Sequence, residues 1–419
     1  MAHFAFISSP VPGHLNPASS LAQGLNKLGN QTTFINIPDA ENFIRSRNLN
    51  YSVIGENNFP KGSWHSNWGP ASKSADILST SKTLNVHYKL AETMLSFVPD
   101  RIKELKIDAL VADHLQFEGS SIAEKMNLPF YTLCPTLPLY SDPEGKYPPP
   151  FTDWMYGESI FTRLRNKAAY PIVKFIMKPY LKIINRKRKE WGLDLLKDLS
   201  ETFSNRIQLS VIPEEFDFPR EFLPKNYITI GPLIQESFLG NSISDISRPI
   251  IYVSMGTIRN QLPQFFSTLL ESLSHLTDYQ IILGRGAWNG NPVSIPEFKN
   301  LTILDYAPQS AILEKAVLCI NHGGANTVLE SCAAGVPCLL FPFGEDQYAM
   351  AIRMQHKGCG LILNPKSISS RIIQNKVLHL LKEKSYAQNA KSLQEKFTKY
   401  KEASHRGAEK ILEDFQKRK

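Results

Sequence analysis

The residues with the most chemistry lie between Tyr306 and Gln347. They read Tyr306-Ala307-Pro308-Gln309, then His322-Gly323-Gly324-Ala325-Asn326-Thr327, then Glu330, and finally Asp346-Gln347. An aromatic ring is a stacking platform. A glycine pair lets a ligand approach the backbone, and the start of a helix favours a phosphate. His322 can donate to a phosphate oxygen, Glu330 can accept from ribose hydroxyls, and the closing acid–amide pair can bind the hydroxyls of a sugar. A strand–glycine–helix turn without a ligand is common. The ordered series is what points to a base, a diphosphate, a ribose and a sugar gripped in turn.

A second set lies near the N-terminus. Gly13-His14 follows the first strand-like run, and Asp113 ends another, Leu110-Val111-Ala112. Ligands of open α/β sheets bind at the carboxyl ends of the strands. A histidine there can act as general base, and a carboxylate can orient it and stabilise its charged form. Taken singly, His14 reads as a capping or surface histidine and Asp113 as a helix cap or loop acid. Their pairing is inferred from the shared sheet edge.

The elements that must position these groups are legible in outline. Phe4 to Ile7 is a buried-strand run. Asn16 is expected to cap a helix with Pro17 in its first turn, Leu21, Leu25 and Leu28 on one face, and Gly29-Asn30 at its end. Thr32 to Ile37 completes a β-α-β unit, which implies a parallel, doubly wound sheet. A helix over Gly119–Lys125 and a strand over Phe130–Cys134 follow. The pattern restarts at Ile250–Val253, with a turn at Met255-Gly256-Thr257 and a helix over Leu262–Leu276. Ile281–Leu283, Leu301–Leu304, Val317–Ile320 and Cys338–Phe341 are further strands, and the last stretch is a charged helix. The expectation is two Rossmann-like α/β domains facing a cleft. Residues 1–231 are expected to form the first domain, 232–248 a linker and 249–395 the second. Residues 396–419 form a helix packing back on the first domain.

Composition bounds the rest. The chain has 419 residues, 42% hydrophobic and 21% charged, which describes a folded protein with a large core. The net charge of +8 suits anionic ligands, but no basic arm or nucleic-acid motif accompanies it. Five cysteines without Cys-x-x-Cys spacing read as reduced, buried side chains. No leader pattern and no apolar run of membrane-spanning length is present, so a cytoplasmic location is expected. Apolar and basic residues alternate at helical spacing over residues 172–189. This reads as an ordinary packed helix with a solvated face, because Pro171 and Pro179 interrupt it. Weak docking on a membrane surface is the second reading. The aromatic loops Phe59–Trp68 and Lys146–Tyr156 line an acceptor pocket on one reading and are packed surface on the other.

His14 within Gly13-His14-Leu15-Asn16-Pro17, with the Tyr306–Gln347 series, resembles the nucleotide-sugar-dependent glycosyltransferases of family 1, which have the GT-B fold. That family's donor signature is Trp-x-x-Gln, His-x-Gly-x-Asn-Ser, Glu and Asp-Gln, in that order. Leu128-Pro129-Phe130, Asp217-Phe218-Pro219-Arg220 and Ile230-Gly231-Pro232-Leu233 are similar to the carotenoid (zeaxanthin) glucosyltransferase branch. The resemblance implies His14 as base and Asp113 as its partner. It places Tyr306 on uracil, Ala307 on uracil through its backbone, and Gln309 near the ribose. His322, Gly324, Asn326 and Thr327 would hold the diphosphate with Ser254 and Thr257. Glu330 would bind the ribose, and Asp346 with Gln347 the glucose. Tyr306 in place of tryptophan makes uracil less exclusive, and Ala325 stands where plant members carry tryptophan. The implied reaction is inverting transfer of glucose from UDP-glucose to a hydroxyl of a hydrophobic small molecule such as a carotenoid, terpenoid, phenolic or flavonoid. No cofactor or metal is expected, since the chain has no Asp-x-Asp pair. A nucleotide-sugar epimerase or hydrolase and a non-catalytic nucleotide-sugar binder are the alternatives. The presence of both His14 and Asp113 speaks against them.

Overall fold

The computed structural model describes residues 1–64, 77–234, 247–256, 263–286, 298–305 and 307–417, with backbone alone for 77–82 and 263. Thr257, Tyr306 and residues 235–246 of the expected linker lie outside the described residues.

Short apolar runs bounded by polar residues become parallel strands because both their faces are covered. In the N-terminal half these are β1 (His3–Ile7), β2 (Gln31–Asn36), β3 (Asn50–Val53), β4 (Ala109–Asp113), β5 (Phe130–Cys134), β6 (Ile207–Ser210) and β7 (Tyr227–Thr229). They pair in the order β3-β2-β1-β4-β5-β6-β7. The second sheet contains β8 (Ile250–Ser254), β9 (Gln280–Gly284), β10 (Leu301–Leu304), β11 (Ala316–Asn321), β12 (Cys338–Leu340) and β13 (Gly360–Ile362), in the order β10-β9-β8-β11-β12-β13. These are two Rossmann-like α/β domains. Strand order reverses between β1 and β4 in one sheet and between β8 and β11 in the other, and ligands of such sheets bind at that switch point. Register sets the detail. Ile7 lies beside Ala112, so the loop after β1 opens next to Asp113. Ser254 lies beside Asn321, so the ends of β8 and β11 form one edge. The short strands β3, β6, β7 and β13 carry too few residues for a periodic signal and appear only once a neighbour pairs with them.

The first helix, α1 (Pro12–Lys27), departs from the expectation. It begins at Pro12, not at Asn16, and Pro17 sits inside it. Pro12 takes the first-turn place that suits proline. Asn16, freed from capping, accepts from the Arg47 guanidinium at 2.9 Å. A helix over Ile77–Leu105, α2, and a short α3 (Gly119–Lys125) follow. The next helix, α4 (Ile160–Trp191), runs unbroken through Pro171 and Pro179, so the interruption expected there does not occur. Proline in a helix removes one N–H and leaves the carbonyl four residues back unpaired. Those carbonyls belong to Lys167 and Phe175, both exposed residues.

The second half contributes α5 (Ala325–Ala334), α6 (Gln347–His356) and the terminal α7 (Ala403–Gln416). The last of these lies on α1. A Cβ on Gly24 would meet the Ser404 carbonyl oxygen at 2.5 Å, so glycine is what allows the close crossing. Phe415 packs on Phe4 with ring centroids 5.4 Å apart, and Asp414 accepts from Tyr131 and Arg206. The halves also join through a buried ion pair. Asp217 of the N-terminal half bonds Arg220 and, at 2.6 Å, Arg353 of α6. Removing one partner of such a pair leaves a buried charge and costs about 3–5 kcal/mol. The aromatic loops are packed where described. Phe59 and Trp64 are buried in the N-terminal core, and Tyr147 clusters with Phe218 and Ile352 between the halves.

Candidate functional site

Between the sheets lies a cleft of about 380 Å³, lined from the N-terminal half by the loop around His14 and by Thr136. From the other half Ser254, Gln309, His322, Asp346 and the start of α5 line it.

On the N-terminal wall His14 Nδ1 lies 2.6 Å from Asp113 Oδ2. The carboxylate also accepts from Ser8 Oγ at 3.1 Å and the Leu115 N–H at 2.9 Å. Burial pushes the Asp113 carboxyl up, but the charge of and bond to His14, with the Leu115 N–H, outweigh it and hold its pKa below the ordinary value. Ionised Asp113 can only accept, so Nδ1 carries the proton and Nε2 is the basic nitrogen. Burial acts to lower His14, but the Asp113 carboxylate prevails and raises its pKa, with Asp346 and Glu345 adding to it. Two other histidines feel these charges. Burial, with the repulsion of His14, holds both His87 and His114 down to about 4. Both are therefore neutral near pH 7, whereas the carboxylate beside His14 favours its protonated form.

On the facing wall β11 runs into Asn321-His322-Gly323-Gly324 and then α5. Gly323 sits at φ 85, and a Cβ there would lie 2.7 Å from the Gln347 carbonyl oxygen, so the turn requires glycine. The Asn321 side chain accepts from the Gly323 N–H at 2.8 Å and holds the turn shut. The His322 ring lies between two glycines. A Cβ on Gly324 would come within 2.5 Å of Nε2, and one on Gly256 within 2.6 Å of Cε1. The two missing side chains therefore make the slot that fixes this imidazole beside the N-terminus of α5, where backbone N–H groups and the helix dipole attract an anion.

Gln309 organises the next part. Its amide donates to Glu330 at 2.9 Å, and its oxygen accepts from Tyr252 at 3.2 Å and Thr327 at 3.4 Å. Burial pushes the Glu330 carboxyl up to about 7, while the Gln309 bond opposes it.

Two contacts span the cleft. The Asn326 amide donates to the Gly13 carbonyl at 3.2 Å. That carbonyl is available because its helical partner would be the N–H of Pro17, which does not exist. Thr136 Oγ1 donates to Asp346 Oδ2. Gln347 is buried, with its side-chain amide oxygen Oε1 accepting from the Phe343 N–H at 2.9 Å.

The structure thus brings His14, Asp113, Ser254, Ala307, Gln309, His322, Gly324, Asn326, Thr327, Glu330, Asp346 and Gln347 to one cleft or its immediate wall. Sequence reasoning missed Ser8, Thr136, Tyr252, Asn321 and Glu345. Asn321 was within reach, since an Asn two residues before a glycine is a known local bond. Thr136 and Tyr252 had no signal, because their partners come from other strands or the other domain.

A model of the family described as UDP-glucoronosyl and UDP-glucosyl transferase matches residues 91–397. The zeaxanthin glucosyltransferase of Pantoea ananas is 28% identical over 365 residues, which cover 86% of this chain and 84% of that protein. Among solved structures, the glycotransferase of kitacinnamycin superposes with a TM-score of 0.75 at 19% identity, over 99% of this chain and 98% of its own. The calicheamicin glycosyltransferase does so with a TM-score of 0.72 at 18% identity, over 100% and 99%. At these identities the structural likenesses speak for the fold, the two-domain GT-B arrangement.

Proposed function

This chain belongs to the UDP-glucoronosyl and UDP-glucosyl transferase family, and on that premise we propose that it moves glucose from UDP-glucose to a hydroxyl of a hydrophobic small molecule, with inversion to the β-glucoside. That it is a UDP-sugar glycosyltransferase follows from the family. The observation that carries the finer reading is the His14–Asp113 pair, 2.6 Å apart, facing the His322–α5 turn across one cleft.

The acceptor oxygen attacks the anomeric carbon while the bond from that carbon to the diphosphate oxygen breaks. The acceptor proton passes to His14 Nε2, and Asp113 stabilises the imidazolium. The leaving diphosphate takes the electron pair and is held by His322, Thr327 and the amides opening α5, with Ser254 and Thr257 beside them. Glu330 and Gln309 take the ribose, and Asp346 with Gln347 takes the glucose. Ala307 meets the base through its backbone, and Tyr306 stacks on it, with thymine tolerated beside uracil. Asn326 leaves Gly13 to join the diphosphate donors. Helix amides and His322 supply the stabilisation that a metal gives elsewhere, so transfer proceeds in EDTA. The acceptor is a carotenoid, terpenoid, phenolic or flavonoid alcohol, as the zeaxanthin glucosyltransferase relative suggests.

The test pairs UDP-glucose, UDP-galactose, UDP-N-acetylglucosamine and TDP-glucose with a panel of phenols, flavonoids, sterols and hydroxylated carotenoids. Thermal stabilisation and product are read together. UDP-glucose should stabilise most, and a β-glucoside should form on one acceptor class with EDTA present. Altered or hydrolysed sugar nucleotide formed at the same rate without acceptor would replace transfer by epimerase or hydrolase chemistry.

A further inference from the structure

Helix α4 buries Tyr180 and Ile184 but leaves a second set of apolar residues open. Its inward positions carry polar groups with fixed partners: Asn166 donates to the Gly145 carbonyl, Tyr180 to Glu118, and Arg188 to Ser121 and Glu124. Its outward positions are apolar. Phe161 and Phe175 are 82% and 74% exposed, Ile160, Leu164 and Ile172 are each 60% exposed or more, and Ile176 is 45% exposed. Ile160, Leu164, Ala168, Ile172 and Ile176 recur every four residues, which places them in one stripe. Scattered exposed apolar residues need no explanation, but a continuous stripe of this length marks a contact surface. The packed-helix expectation for residues 172–189 holds for Ile183 and Ile184, which pack on the core, and fails for Ile172, Phe175 and Ile176, which are left open.

Charge says what covers it. Within Ile160–Trp191 there are ten Lys and Arg residues and one acid, Glu190. Lys174, Arg186 and Arg188 are engaged by Asp198, Glu92 and Glu124. Lys167, Lys178, Lys182 and Lys189 are exposed and make no ion pair among the described residues. The first half of the helix thus offers an apolar stripe edged by lysine. The second half offers lysine on the same side. A second copy of this chain would set that basic face against itself. An acidic surface with an apolar interior, the headgroup layer of an anionic bilayer, matches both halves at once. No helix among the described residues is long and apolar enough to cross a membrane.

We propose that α4 docks flat on anionic lipid, burying Phe161, Leu164, Ile172 and Phe175 among the acyl chains while Lys167, Lys178 and Lys182 meet the headgroups. The assignment does not depend on the identity of the acceptor. It predicts that the enzyme works at a lipid surface, where water-insoluble alcohols reside.

The full chain is sedimented with vesicles of phosphatidylcholine alone or mixed with phosphatidylglycerol. Binding to the mixed vesicles should exceed binding to the neutral ones by about tenfold or more and weaken as salt rises. Phe161→Glu with Phe175→Glu should abolish it, and Lys178→Glu with Lys182→Glu should lower it by about tenfold. Unchanged thermal unfolding and unchanged transfer to a water-soluble acceptor would show that the variants fold. Equal sedimentation of wild type and both variants overturns the proposal. So does a wild-type dimer, seen by sedimentation velocity, that the Phe161→Glu/Phe175→Glu variant dissolves, because the stripe would then be a contact between copies.

Discussion

The two halves use the same device for different ends. In each, a strand ends, a short loop presents a histidine, and a helix begins. His14 after β1 is held by a charge: Asp113 lies 2.6 Å away and raises the imidazole above its ordinary pKa. His322 after β11 is held by shape, in a slot that exists because Gly256 and Gly324 lack side chains. A histidine that must take up a proton needs a partner that stabilises the charged form. A histidine that must donate to an anion needs a fixed ring beside a helix N-terminus. On the proposed function, one loop geometry serves proton transfer or anion binding according to what stands next to the ring.

The contrast can be broken from either side. The largest effect is expected from His14→Ala, which should lower kcat by about 10²–10⁴-fold. UDP affinity by calorimetry should stay within about twofold, since the other half binds the nucleotide. A parallel loss of both would make His14 a binding residue. Asp113→Asn should come next, and its signature is in the pH profile. His14 works when neutral, and its raised pKa puts the acid limb of kcat/KM above pH 6.5. Removing the carboxylate should move that limb to lower pH while the plateau falls. An unmoved limb would show that another group titrates.

Filling the slot tests the other histidine. Gly324→Ala places a methyl group on the His322 ring and should weaken UDP binding by about tenfold, or about 1.4 kcal/mol. The acid limb should stay where it is, and a shifted limb would mean the two histidines are coupled. The smallest effect concerns Glu330, whose carboxyl titrates near pH 7. Only the ionised form accepts from two ribose hydroxyls, so UDP affinity should rise a few-fold as pH increases through 7. Glu330→Gln should flatten that dependence, and a dependence surviving the substitution would assign it to another group.

Much of this was legible in the chain. The Tyr306–Gln347 series could be read because a strand, turn and helix in succession place their residues together whatever surrounds them. Thr327 and Glu330 follow Gly324 along one helix, so their order along the cleft wall is their order in sequence. The start of α1 was misplaced because Asn16-Pro17 satisfies both the capping and the proline rule, whereas Val11-Pro12, the start used, satisfies only the second. The prolines of α4 were read as breaks because local rules charge a proline for its missing hydrogen bond.

By itself, then, the sequence determined the alternation of strand and helix, the two parallel sheets it implies, and the contiguous donor-side motif, all of which depend on spacing of a few residues. The shared sheet edge already suggested the pairing of His14 with Asp113, 99 residues apart, but tertiary structure alone decided the bridges from Asn326 to Gly13 and from Asp346 to Thr136. It also decided that the apolar residues of α4 from Ile160 to Ile176 include an open stripe while Ile184 is buried. Such contacts depend on which elements the fold brings together and which it leaves uncovered. Burial is a property of neighbours in space, which residue spacing along one helix does not record.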